Sequence, residues 1–174
     1  AMTDPEGDEG LAQLVAHALS EGTLRRDGAA LALAAESLGA ALDASADWDS
    51  AVARLTVLTP RLRDAFALLA EVLTQPAFPE REVERLKEER LAELLQMRTE
   101  PGVLASEAFN KWTYVAGSRY GKPDGGTEAS VRGITREKVE RFWRARYGPA
   151  GTTLVVAGDV TPEQVLALAG ETLG

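Results

Sequence analysis

Gly10-Leu11-Ala12-Gln13-Leu14-Val15-Ala16-His17-Ala18-Leu19-Ser20-Glu21-Gly22-Thr23 is the stretch from which the rest of the chain is read. Leu11, Leu14, Val15, Ala18 and Leu19 recur at helical spacing, so one face of this segment is apolar. Gly22 stops the periodicity where a left-handed or extended residue closes a helix. His17 is the only histidine in the chain, and the pattern sets it off the apolar face.

Outward from this helix the elements alternate in type. Residues 1–9 are polar, with Pro5 and Gly7, and read as a tail or a tag remnant before a single domain over 10–174. Asp27 is placed to cap a second helix that Gly39 ends. In 40–47, Ala40, Leu42, Ala44 and Ala46 alternate with polar residues. In 50–58, Ala51, Ala53, Leu55 and Val57 alternate with Val52, Arg54, Thr56 and Leu58, and the period of two predicts a half-buried hairpin turning at Trp48-Asp49-Ser50. Helices follow with inward stripes Leu62, Phe66, Leu69, Leu73 and then Val83, Leu86, Leu91, Leu94, Leu95. A helix at about 101–115 carries Leu104, Ala108, Phe109 and Trp112. Beyond a glycine-rich loop at 116–126, Thr135 and Thr161-Pro162 open two more helices. Between those two, Thr152–Ala157 is apolar and β-rich and is expected to be a buried strand. The expected class is α+β, with helices on one face of a mostly antiparallel sheet that lacks an N-terminal strand pair.

Composition narrows the functions. The chain has 174 residues, within the size of one domain, and a net charge of −8, which repels phosphate backbones and excludes nucleic acid as the main partner. It has no cysteine, so thiolate metal sites and cysteine nucleophiles are excluded. No apolar run is long enough to span a membrane. The compartment stays open between cytoplasm and periplasm. Ala-, Leu- and Arg-rich usage points to a GC-rich bacterial source.

Two motifs are decoys. Gly117-Ser118-Arg119-Tyr120-Gly121-Lys122 has three residues between its glycines and Pro123 where a phosphate loop needs Ser or Thr. Arg136, Lys138, Arg141, Arg144 and Arg146 surround Phe142, Trp143 and Tyr147, but Glu137 and Glu140 interrupt the run. A solvated helix face with an aromatic inner side accounts for them.

The opening stretch resembles the zinc helix of pitrilysin/insulinase-type (M16, inverzincin) peptidases, whose pattern is Gly-Leu-Ala-His-x-x-Glu-His-x-x-x-x-Gly-Thr. That chemistry needs two imidazoles at i and i+4 and a carboxylate as general base for zinc-bound water. Here Gly10-Leu11-Ala12 and Gly22-Thr23 are intact, while Gln13 stands at the first His, Ala16 at the Glu, and His17 alone remains. Ala77-Phe78-Pro79 with Glu84-Arg85 resembles the start of the helix bearing the third ligand, and the resemblance selects Glu93, eight residues before Pro101. Gly126-Thr127-Glu128-Ala129-Ser130-Val131, Ile134-Thr135 and Leu154–Val160 extend the likeness over nearly the whole chain.

The resemblance implies an M16-like lobe with degenerate metal positions Gln13, His17 and Glu93, no catalytic residue, and zinc absent. It implies a non-catalytic lobe that pairs with a zinc-bearing M16 lobe or subunit and helps enclose a peptide. The alternative is a structural or assembly subunit with no peptidase role. Self-association through an exposed sheet edge is a further expectation.

Overall fold

The computed structural model describes residues 1–173; Gly174, the last residue of the expected domain, lies outside them. The chain is α+β, with eight helices around one antiparallel hairpin among the described residues. Helix α1 spans Leu11–Ala18 and tightens into a single 3₁₀ turn over Leu19–Glu21, and α2 covers Gly28–Ser37. The hairpin β1 (Ala41–Ala46) and β2 (Ala51–Thr56) pairs in register from Ala41 opposite Thr56 to Ala46 opposite Ala51. Then come α3 (Leu62–Thr74), α4 (Glu80–Met97), α5 (Pro101–Thr113), α6 (Glu128–Arg132), α7 (Arg136–Arg146) and α8 (Pro162–Thr172).

The central position of α1 follows from its sequence. Leu11, Leu14, Val15, Ala18 and Leu19 are all buried, each larger apolar side chain contributing about 1.5–3 kcal/mol. They meet the inner hairpin face, where Leu42, Ala44, Ala46 and Ala53 sit, together with Leu68 and Val72 of α3, Val83 and Leu86 of α4, and Val139 and Phe142 of α7. The outward residues Asp43, Ser45, Val52 and Arg54 are exposed, as the period of two requires.

Local signals place the helix starts. The Asp27 carboxylate accepts from the Ala30 amide at 2.8 Å. Thr127 with Ser130, and Thr161 with Gln164, form reciprocal capping boxes, and Thr135 accepts from the Lys138 amide.

Two expectations fail. Thr152–Ala157 forms no strand: it pairs with no neighbouring strand among the described residues, and Val155 is 82% exposed. The inward stripe of α4 holds for Val83 and Leu86 but not at its C-terminal end, where Leu95 is 64% exposed. Residues 1–9 lie mostly in turns and bends. Asp4 is buried, and its carboxylate accepts from the Gly10 and Ala12 amides at 2.9 Å each, holding the open N-terminus of α1. Burial pushes the Asp4 carboxyl up, against the opposing pull of those two amides, the chain-terminal ammonium and Arg119.

Candidate functional site

The corner singled out by the sequence lies where α1 crosses α4, beside the Gly125-Gly126 loop. Along α1, Gln13 is half-buried, Ala16 is 1% exposed and His17 faces solvent. Helical spacing puts Gln13 and His17 on one face, as the i, i+4 zinc pair requires, but only one of them is an imidazole. Ala16 packs inward with no group to act as a base.

Glu93 is exposed on α4 and takes a hydrogen bond from Arg90 Nη1 at 2.9 Å. Arg90 also donates through Nε to the Gly125 carbonyl at 3.0 Å. A Cβ added at Gly125 would lie 1.9 Å from Arg90 Nη2 and 2.8 Å from Gln13 Oε1, so both side chains converge on the same point of the loop. The structure thus pairs Glu93 with the Arg90 guanidinium and sets Gln13 beside the same loop. Toward the other end of α1, Arg85 bonds Glu21 at 2.7 Å, Glu82 at 2.7 Å and Glu89 at 2.6 Å. The three carboxylates push its pKa far above the usual range, Glu82 most of all.

The loop facing this corner is fixed from the other side. Glu9 is buried and receives Arg119 at 3.0 Å and Lys122 at 2.9 Å. Burial pushes the Glu9 carboxyl up, but the Lys122 hydrogen bond and the two cations outweigh it and hold it below the usual range. Ser130 Oγ donates to the Glu9 carbonyl at 2.8 Å. The phosphate-loop decoy is therefore a structural clamp, its lysine committed to Glu9. The first residues of the basic run on α7 are likewise committed. Arg136 donates to the Phe78 carbonyl at 2.7 Å, Lys138 reaches Asp8 at 2.7 Å, and the Trp143 indole donates to the Leu73 carbonyl at 3.0 Å.

Beside Arg90 a cleft of about 300 Å³ opens between the end of α4, α5 and the 121–124 loop. Trp48, Met97, Val103, Asn110 and Lys122 line it, a mixture of apolar walls and hydrogen-bonding groups. Reading from the sequence alone missed Arg90, Asp4 and Glu9. The signal for Arg90 was present, because a residue three before Glu93 on a helix shares its face. Asp4 and Glu9 gave none, since their partners depend on how the chain folds back.

A catalytic zinc site takes three protein ligands and an open position. Among the described residues, no group of three or more His, Cys, Asp or Glu is placed to hold a metal ion. His17 with an arginine-bound Glu93 does not fit zinc.

Fold and corner together define a class: an α+β lobe built on a hairpin-backed helix that stands where an inverted zinc motif would. The chain matches the family Insulinase (Peptidase family M16) over residues 1–121 and Peptidase M16 inactive domain over residues 133–174. It is 26% identical over 160 residues to an uncharacterized zinc protease of Rickettsia bellii, covering 92% of this chain and 39% of that protein. It is 27% identical over 165 residues to a probable mitochondrial-processing peptidase subunit beta of Arabidopsis thaliana, covering 92% of this chain and 30% of that one. Among solved structures, a peptidase M16 inactive domain from Pseudomonas fluorescens superposes with a TM-score of 0.88 at 29% identity, over 95% of this chain and 40% of that one. The chain belongs to peptidase family M16, and spans 30% to 39% of the length of these two relatives. No helix among the described residues is long and apolar enough to cross a membrane.

Proposed function

We propose that this chain is a non-catalytic M16 lobe, without peptidase activity of its own, that pairs with a zinc-bearing M16 lobe or subunit and helps enclose a peptide. The observation that carries the reading is the zinc helix itself. Its frame is kept, while Gln13 and Ala16 replace a ligand and the base and Glu93 is held by Arg90. A lobe that keeps the frame and not the chemistry retains its shape and its surfaces.

Those surfaces support pairing. Helix α5 buries none of its residues, and Phe109 and Trp112 are 68% and 84% exposed. Contiguous exposed apolar area of this kind marks an interaction surface. The cleft beside Arg90 supports a peptide-holding role, because it sets the apolar walls Trp48, Met97 and Val103 beside the polar groups Ser106, Glu107, Asn110 and Asp124.

The test mixes the purified chain with a zinc-bearing M16 subunit from the same source and follows association and peptide cleavage. The reading expects no cleavage by the chain alone, a stable complex, and a rise in kcat/KM when the two are combined. A complex that forms but leaves cleavage unchanged favours the structural-subunit alternative. Chelator-sensitive cleavage by the chain alone contradicts both.

A further inference from the structure

We propose that Arg90 is a resident cation at the vestigial metal corner, closing it to a divalent ion by charge and not only through the missing ligand. The inference rests on the non-catalytic reading above and deepens it.

Two hydrogen bonds fix the guanidinium. Nη1 holds the Glu93 carboxylate at 2.9 Å and Nε holds the Gly125 carbonyl at 3.0 Å, while Nη2 lies with Gln13 Oε1 around the space a Gly125 side chain would take. Glu93 is 61% exposed, so the ion pair alone is a weak surface pair. The contact to Gly125 changes that, because Gly125 is buried and Arg90 is only 22% exposed. The side chain is anchored at a defined place, and an arginine stays charged at every working pH. A divalent cation taking His17 and Glu93 as ligands would have to pull Glu93 from its arginine and then sit beside a fixed positive charge. Arg85 repeats the pattern toward the other end of α1, holding Glu21, Glu82 and Glu89. Of these pairs, Arg85–Glu21 ties α4 to the turn that follows α1.

Gln13→His tests this directly, since it supplies the third ligand without touching buried Ala16. Zinc affinity is measured by competition with a chromophoric chelator, and cobalt(II) absorption reports the ligand geometry. Gln13→His alone should bind zinc weakly. Adding Arg90→Leu should tighten binding on the order of 10–100-fold, the range over which groups around a metal's ligands act. Adding Arg90→Lys instead, which keeps the charge, should leave binding weak. Equal affinity with and without Arg90→Leu, whether tight or undetectable, overturns the proposal, as does a Lys variant that binds as tightly as the Leu variant. If Arg90→Leu does not fold, Arg90→Gln, which still donates to the Gly125 carbonyl, carries the same comparison. Stoichiometric zinc on the unmodified chain would overturn the non-catalytic reading instead, and so separates the two.

Discussion

Gly126 has a φ of +81°, and a Cβ there would lie 2.1 Å from the Glu9 carbonyl oxygen. Gly126→Ala therefore meets both a left-handed backbone and another backbone atom, and should cost about 2–4 kcal/mol in urea unfolding. The opposite sign is expected at Tyr147. Its hydroxyl is buried with no hydrogen-bond partner among the described residues, and burial pushes its pKa up to about 12. Removing an unsatisfied buried hydroxyl relieves its desolvation, so Tyr147→Phe should raise stability by about 1 kcal/mol, read as a higher urea midpoint at unchanged slope. Single positions also set the limits of what the sequence discloses. His17, Gln13 and Ala16 were legible because a helix fixes their mutual spacing within one turn. Arg90 shares a helix face with Glu93, but its contact with Gly125 is 35 residues away in sequence and belongs to the folded chain.

Helix α3 is tied to the turn after α1 by Glu71. Its carboxylate accepts from Thr23 Oγ1 at 2.5 Å and from Arg26, and it is buried. Burial pushes the Glu71 carboxyl up, but the hydrogen bonds from Thr23 and Arg26 prevail and hold it below the usual range. A folded pKa below the unfolded one stabilises the fold above the unfolded value, and that stabilisation is lost as pH falls through the folded one. Glu71→Gln should cost about 1–3 kcal/mol near pH 7, and the gap to the unmodified chain should shrink on acidification below the carboxylate range. Helix starts were readable because caps act within three residues, as at Asp27, Thr135 and Thr161. The hairpin was readable because its two strands are adjacent in sequence and alternate cleanly. Thr152–Ala157 was not, since β-propensity makes a strand only where a neighbouring ladder exists. Helix α5 shows the same limit: its periodicity marks a helix, but not whether anything covers it.

Across the whole molecule, one core runs from the hairpin through α1 to α3, α4 and α7, with α1 at its centre. On the proposed non-catalytic reading the site is absent without cost to the core, because the apolar face of α1 and its Gln13–His17 face are separate. The proposed pairing places a second lobe on the exposed apolar face of α5. Phe109→Ser with Trp112→Ser should leave unfolding stability within about 0.5 kcal/mol, as for surface sites, while weakening any complex with a zinc-bearing subunit. The central claim is that this corner cannot cage a hydrolytic ion. Metal analysis of the purified chain after zinc loading and desalting, run beside a peptide cleavage assay, tests it most directly. The account predicts far less than one equivalent of zinc and no cleavage. One tightly held equivalent, lost on His17→Ala along with chelator-sensitive cleavage, would contradict it.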